Sequence, residues 1–259
     1  MENNIKMYTI TLWILILMQS CVTKKHILYV QDDYEYLPLE LSYNDNTIQV
    51  DDVLDIRVGA LTPEAALPFN RSLSGKQVQN NNVEIMKLEG YLVTQDKTIN
   101  FPILGVISVA GKTITTLEKD LKERLESGGY LIDPSVTIRL LNAKVTILGE
   151  VRTPGTYTFT ENNMSFLQAL GMAGDLTINA NREELQIIRS VDGVLTTGYL
   201  NLTSAKWLSS PFERIKPNDV IIVQPNKSKI KSASFIGNAG SFVSIASLII
   251  STIVLINNL

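Results

Sequence analysis

The sequence predicts an α+β protein with two small domains built on mixed sheets, followed by a C-terminal helix. Three observations support this prediction. In both halves of the chain, short runs alternate between apolar and polar residues, as half-buried strands do. Each half also contains one helix-start signal, a Ser or Thr followed three residues later by Glu or Gln. The third observation is an uncharged stretch, 235–256, close to the C-terminus.

Composition excludes several classes of protein. The 259 residues allow one to three small domains, and the net charge of -3 argues against nucleic acid as a partner. Cys21 is the only cysteine and His26 is the only histidine, so an intrachain disulfide, a His/Cys metal cluster and a His-based triad in the folded body are excluded. We therefore expect no metal and no cofactor.

The N-terminus is typical of a bacterial lipoprotein signal, which we place at residues 1–20. Lys6 is followed by an apolar run too short for a transmembrane helix, and a small residue directly precedes Cys21. We predict that Cys21 is lipidated and that 21–46 form a tether. An ordinary signal peptide or an uncleaved anchor with a buried cysteine is the alternative. Because Asp is absent from the second mature position, we expect the outer membrane.

The first predicted domain covers residues 47–141. Apolar residues at 54, 56 and 58 mark a strand, and a hairpin is expected between 90–93 and 98–105. A capping box from Thr115 to Glu118 is predicted to open a helix that continues to about Ser127.

The second predicted domain covers residues 143–225. A capping box at Ser165–Gln168 opens a short helix, Phe166–Ala173, and a helix packed on a small mixed sheet suggests a β-grasp-like fold. The expected strands are Lys144–Gly149, Gly155–Thr160, Glu184–Arg189, Val194–Asn201 and Asp219–Val223.

Two internal echoes, which are pairs of stretches with similar sequences, suggest that the two domains share the order of their secondary-structure elements. The sequence of 48–54 resembles that of 215–221, where turn-forming residues lead into an apolar strand. A second echo relates 103–111 to 147–155, each followed by a capped helix. Chance is the alternative explanation, since short matches centred on glycine are common.

The chain resembles a known family over most of its length. Residues 47–141 look like the periplasmic polysaccharide export domain of Wza-like outer-membrane exporters, and 143–225 resemble a soluble-ligand-binding β-grasp (SLBB) domain. One departure is Val50-Asp51-Asp52, where the family usually has Pro-Gly-Asp, and another is the single SLBB module. The residues that carry the resemblance are Ile48–Leu54, Pro63-Glu64-Ala65, Pro68-Phe69-Asn70, Gly90–Val93, Ile99–Gly105 and Asp133–Val136 in the first domain, and Leu148–Val151, Pro154–Tyr157, Ala173-Gly174, Arg189 and Asp192-Gly193 in the second.

The resemblance implies a fold, an assembly and partners. Members form ring-shaped homo-oligomers, often octamers, that enclose a periplasmic chamber and a channel through the outer membrane. Their C-terminal helices form an α-helical barrel, and an inner-membrane polysaccharide co-polymerase, often a tyrosine autokinase, docks beneath the ring. The expected substrate is a polysaccharide. The resemblance also marks Gly149, Pro154 and Gly155 as the turn of the SLBB domain.

The C-terminal region is predicted to contain a basic linker, 226–234, and a transmembrane helix, 235–256. Small residues recur along the helix at steps of three and four and therefore share one face, which indicates packing against another helix or a pore. A plain tail anchor with incidental serines is the alternative. The residues of this face are Gly237, Gly240, Ser244, Ser247 and Ser251.

The sequence features bear on three candidate functions. The favoured one is an oligomeric outer-membrane channel that exports capsular or exopolysaccharide. The alternative is a non-channel envelope lipoprotein whose SLBB domain binds glycan or a protein partner. A glycosidase needs two carboxylates at a set separation, but most of the available acids have ordinary turn roles, so we predict no catalytic residue. The acids considered are Asp51, Asp52, Glu150 and Asp192.

Overall fold

The computed structural model describes residues 27–32, 45–71, 83–233 and 239–257. Within them the chain forms two α+β domains, each with its own hydrophobic core, and two helices that follow the second domain. The predicted α+β class is therefore confirmed. Cys21 and Gly237 lie outside the described residues, as does the predicted signal peptide.

The first domain contains a three-stranded antiparallel sheet, a separate hairpin and one long helix. The sheet has the strand order β2-β1-β5, and β3 pairs with β4. The predicted hairpin is therefore wrong in its partners, because β2 joins β1 while β3 turns back onto β4. The elements are β1 (Val53–Gly59), α1 (Pro63–Ala66), α2 (Val83–Glu89), β2 (Tyr91–Leu92), β3 (Thr98–Phe101), β4 (Gly105–Ser108), α3 (Ile114–Ser127) and β5 (Ser135–Leu140).

Helix α3 packs into the core of this domain, and its N-cap lies two residues earlier than predicted. Its N-cap is Thr113, whose side chain accepts a hydrogen bond from the Thr116 amide at 3.2 Å. The predicted capping box at Thr115 is therefore wrong. Glu118 instead accepts a bond from the Ile138 amide at 2.8 Å, which satisfies a donor on the edge strand β5. The helix buries Leu117, Leu121 and Leu125.

The second domain has the predicted β-grasp-like architecture. Its five-stranded sheet has the order β7-β6-β10-β8-β9, and the central strand β10 is parallel to its neighbour β6. Helix α4 packs on one face through Phe166, Ala169 and Leu170, and it begins at the predicted capping box, in which both reciprocal bonds form. The elements are β6 (Lys144–Gly149), β7 (Gly155–Thr158), α4 (Phe166–Met172), β8 (Ala180–Val191), β9 (Val194–Leu200) and β10 (Val220–Pro225).

The first sequence echo corresponds to two turns with the same backbone. We call them the first Asp turn (Gln49–Asp52) and the second Asp turn (Lys216–Asp219). The third residue of each, Asp51 or Asn218, is left-handed, with φ of 66° and 67°. In both turns the carboxylate of the last residue accepts the amide of the first at 2.8 Å. Asp and Asn tolerate this left-handed backbone better than most residues do.

The second sequence echo has no structural counterpart. Leu104 and Gly105 form the turn that begins β4, whereas Leu148 and Gly149 end β6. The two segments therefore occupy different structural positions despite their similar sequences.

Residues 27–32, part of the predicted tether, lie on the second domain. The amides of Val30 and Gln31 donate to the carbonyls of Leu202 and Thr203, both at 2.9 Å. Asp32 then accepts bonds from the Ser204 hydroxyl and the Ala205 amide. At least this part of the predicted tether is therefore fixed to the folded body.

Two helices follow the second domain, α5 (Lys227–Ala233) and α6 (Ala239–Asn257). Helix α6 covers much of the stretch predicted to cross a membrane, 235–256. Nevertheless, among the residues described, no helix combines the length and the apolar character that a membrane crossing requires. The transmembrane assignment is therefore not supported.

Candidate functional site at the domain junction

The two domains are joined by hydrogen bonds centred on the first Asp turn. The side chain of Asn142 accepts from the Val53 amide at 2.9 Å and donates to the Asp51 carbonyl at 2.8 Å. On the other side, the amide of Asp192 donates to the side chain of Gln49 at 2.9 Å. The Asp192 carboxylate also forms an ion pair with Lys97, which holds the pKa of that carboxyl below its usual range.

A cavity of about 70 Å³ lies at this junction. Both domains contribute to its wall, which combines polar residues with apolar ones such as Ile48, Leu54 and Phe159. Because a water molecule occupies roughly 30 Å³ in the liquid, the cavity holds a small group and not a long chain. Its charged lining residues are Asp45, Asp52, Glu161 and Lys216.

Asp219, in the second Asp turn, is fully buried and compensated by a cation. The guanidinium of Arg189 donates to its two carboxylate oxygens at 2.9 and 2.7 Å. Arg189 also donates to the carbonyls of Pro211 and Arg214 and lies 4.9 Å from the ring centre of Phe212. Such a pair is costly to break because either charge alone is stranded away from water. The resemblance marker Arg189 is thus a structural residue of this domain.

Asp52, in the first Asp turn, is also buried, with 5% of its surface exposed, but no cation from the part of the chain that the structure describes pairs with it. One carboxylate oxygen accepts the Gln49 amide, and among the described residues no ion pair to Asp52 forms. Burial raises the pKa of Asp52 to about 6, and the negative charge of Asp51 adds to the rise, while the bond from Gln49 opposes it. The cavity therefore contains a largely buried carboxylate to which no described residue supplies a cation.

The turn predicted to mark the SLBB domain is held by its backbone. Gly149 has φ of 92°, and a Cβ on it would lie 2.0 Å from the Val223 carbonyl oxygen. The loop that follows is tied to the end of α4 by bonds from the amides of Arg152 and Thr153. Pro154 and Gly155 lead from this loop into β7. These residues shape the loop, and none of the three lines the cavity.

The other acids considered from the sequence lie apart in turns with partners of their own. Glu150 accepts a bond from the Thr177 hydroxyl at 2.7 Å, and Asp192 pairs with Lys97. Asp51 points outward from the first Asp turn and is exposed. In the described ranges, no group of three or more His, Cys, Asp or Glu is placed to hold a metal ion.

The small-residue face of the C-terminal helix is present in α6 from Gly240 onward. The hydroxyl of Ser244 donates to the Gly240 carbonyl, and that of Ser247 donates to the Ser244 carbonyl, both at 2.9 Å. Ser251 is exposed on the same helix. The serines at 244 and 247 therefore satisfy their hydroxyls within the helix, which leaves a face of small volume and reduced polarity.

The sequence did not predict an uncovered face on the five-stranded sheet. Helix α4 packs against the face that contains Ile147, Ile187 and Ile221. Strand alternation places Leu148, Leu195 and Tyr199 on the opposite face, where 42%, 67% and 60% of their surfaces are exposed. Less exposed residues of the same face are Ile188, Val220 and Ile222. The alternation of side chains along the five strands predicts this face only when the order of the strands in the sheet is known.

The Gly149→Ala substitution tests the tied loop. We expect it to lower the free energy of unfolding by at least about 2 kcal/mol, because the new methyl group collides with the Val223 carbonyl and the backbone is left-handed. Gly155→Ala is the matched control, since its Cβ would meet nothing closer than 3.8 Å. Urea unfolding of both variants measures the difference, and equal stabilities would contradict the assignment.

Comparison with known proteins identifies both domains. Residues 41–141 match the family described as polysaccharide biosynthesis/export protein, and residues 144–197 match the SLBB domain. The two domains were predicted at 47–141 and 143–225, and the second match ends within β9.

Curated relatives match over part of their length. The chain is 32% identical over 108 residues to the EPS I polysaccharide export outer membrane protein EpsA of Ralstonia nicotianae, covering 39% of this chain and 27% of that protein. It is 28% identical over 145 residues to the capsule polysaccharide export outer membrane protein CtrA of Neisseria meningitidis serogroup A, covering 55% of this chain and 36% of that protein. The alignments thus span about a quarter to a third of these relatives.

These matches follow one another in the order that the sequence predicted, and the structure shows a separate core for each domain. Together with the named relatives, these matches support the resemblance to Wza-like polysaccharide export proteins, since a polysaccharide biosynthesis/export domain precedes an SLBB domain in this chain.

Proposed function

We propose that this chain is a lipid-anchored subunit of an outer-membrane ring that exports capsular or exopolysaccharide from the periplasm. The observation that carries the proposal is the joint presence of the export and SLBB domains in a chain whose relatives are named as outer-membrane polysaccharide exporters. The ring surrounds the path of the polysaccharide, and an inner-membrane co-polymerase, such as a tyrosine autokinase, docks beneath it. No step of this function needs a catalytic residue or a cofactor.

The uncovered sheet face supports assembly with further copies of the chain. An apolar face with exposed Leu195 and Tyr199 is unusual on a domain that works alone, and such faces mark interaction sites. In a closed ring each subunit presents this face to a different surface of its neighbour. We place the uncovered sheet face at the subunit interface.

Helix α6 offers a second contact between subunits. Its face with Gly240, Ser244 and Ser247 is small enough for a neighbouring helix to approach closely. The preceding helix α5 exposes Lys227, Lys229 and Lys231. We propose that the α6 helices of the ring pack together through their small-residue faces, with the lysines of α5 directed to the anionic membrane surface.

Lysine substitutions on the uncovered sheet face test the assembly. In the full chain purified in detergent, Leu195→Lys and Tyr199→Lys should shift the protein from a ring to smaller species, because each buries a charge at the interface. Val194→Lys is the matched control, since Val194 is 62% exposed on the same strand but faces the other side. Mass photometry measures the assembly. Rings of unchanged mass in both face variants would contradict the proposed interface.

The lipid anchor is tested by Cys21→Ala. Loss of the acylated cysteine removes the membrane attachment, so the protein should leave the outer-membrane fraction and surface polysaccharide should fall. A Ser20→Ala variant keeps a small residue before the cysteine and serves as the control. Membrane fractionation and polysaccharide staining of whole cells give the two readouts. Unchanged outer-membrane fractionation of Cys21→Ala would contradict lipidation.

The alternative is an envelope lipoprotein that binds glycan or a partner without forming a channel. The junction cavity is the observation that bears on it, because cavities between domains are common ligand sites, although its volume suits one small group of a ligand and not a glycan chain. Negative-stain electron microscopy of the purified full chain separates the two functions. A ring with a central opening supports export through a channel, and a monomer supports the alternative.

A further inference from the structure

The two Asp turns share a backbone but differ in charge balance. In both, the last residue caps its own turn through its carboxylate at 2.8 Å, and in both that residue is buried. Asp219 receives a guanidinium, whereas Asp52 receives no cation from the described residues. Buried carboxylates in folded proteins are normally paired with a cation or protonated. The second Asp turn thus shows the kind of partner, a cation, that the described residues do not supply to Asp52 in the first.

The surroundings of Arg189 define the chemistry that satisfies such a carboxylate. The guanidinium occupies both oxygens of Asp219, donates to two carbonyls and lies against the ring of Phe212. Around Asp52 the corresponding space is the junction cavity. Its wall offers an aromatic ring, Phe159, and further acceptors in Asp45 and Glu161.

We propose that the junction cavity binds a small organic cation whose amino or guanidino head group pairs with Asp52. The cavity has the volume of such a head group with a short stem. Asp52 lines it with one oxygen engaged by Gln49 and the other without a partner among the described residues. This inference is independent of the proposed export function, because it concerns a site that no step of export uses.

The charges of the wall select a cation over other ligands. Asp45, Asp52 and Glu161 place three carboxylates on the lining, against the single ammonium of Lys216. Lys216 forms no ion pair with any described carboxylate, and it is absent from the groups that shift the pKa of Asp52. An anion would be repelled, and a neutral sugar would leave the Asp52 carboxylate uncompensated.

A bound cation would also connect the two domains. The cavity wall combines the first Asp turn and Leu54 from the export domain with Phe159, Ser190 and Lys216 from the SLBB domain. A head group paired with Asp52 therefore contacts residues of both domains at once, and its binding raises the stability of their junction by mass action.

Saturation-transfer NMR on the full chain in detergent tests the proposal with a set of small probes. Ethylguanidinium and ethylammonium should bind saturably at pH 7.5, whereas ethylurea, the neutral isostere of ethylguanidinium, should bind at least tenfold more weakly. Because the Asp52 carboxyl titrates near pH 6, affinity for the cations should fall about tenfold between pH 7.5 and pH 5. Equal binding of ethylurea would overturn the proposal, and so would an absence of saturable binding.

Three substitutions distinguish binding at this site from general effects on the protein. Asp52→Asn keeps the acceptor for the Gln49 amide but removes the charge, and it should weaken cation binding at least tenfold. Asp51→Asn is the matched control, since the second Asp turn has Asn218 at the same position, and it should leave binding unchanged. Glu161→Gln should weaken binding severalfold without touching the turn. Unchanged binding in Asp52→Asn would overturn the proposal.

Two further probes distinguish a cation carried on a sugar from one carried on a linear chain. Glucosamine carries its amino group on a sugar, and agmatine carries its head groups on a linear chain. Competition of either with ethylammonium supports the site, and the tighter of the two identifies the carrier. If neither competes at concentrations that saturate the wild-type site with ethylammonium, the proposed class of ligand is overturned.

Discussion

The buried pair of Arg189 and Asp219 is the interaction on which the second domain depends. Asp219 lies at the entry of β10, the strand between β6 and β8 at the centre of the sheet. Through its other donors, Arg189 also fixes the carbonyls of Pro211 and Arg214, so the long connection into β10 is held by one guanidinium. Because neither charge is stable alone in the interior, the pair enforces a single path for this segment.

The local features of the fold were predictable, and the long-range ones were not. The strand pattern and the box at Ser165–Gln168 gave the elements of the second domain because they depend on neighbours in sequence. The start of α3 was misplaced because Thr113 and Thr115 both fit an N-cap, and Glu118 was claimed by a distant strand amide. The C-terminal stretch was assigned to the membrane on its lack of charge, and the described residues do not support that assignment.

The candidate sites show the same limit. The resemblance marked Gly149, Pro154 and Gly155, whose roles are local to one loop, and at Gly149 the left-handed backbone beside the Val223 carbonyl leaves no room for a side chain. The junction cavity and the uncovered sheet face could not be predicted from the sequence, because both are formed by residues far apart in the chain. The similarity of the two Asp turns could be predicted from the sequence. That no described residue supplies a cation to Asp52 could not. Which turn is compensated is decided by tertiary structure.

One comparison tests this account most directly: the unfolding free energies of Asp52→Asn and Asp219→Asn at pH 7.5. The pKa of Asp52 is raised from 3.8 to about 6, so its ionisation destabilises the folded chain increasingly between these values and fully above the upper one. Asp52→Asn should therefore stabilise the protein by roughly 2–3 kcal/mol. Asp219→Asn strands the Arg189 guanidinium and should destabilise it by about 3–5 kcal/mol. Effects of the same sign would contradict the account.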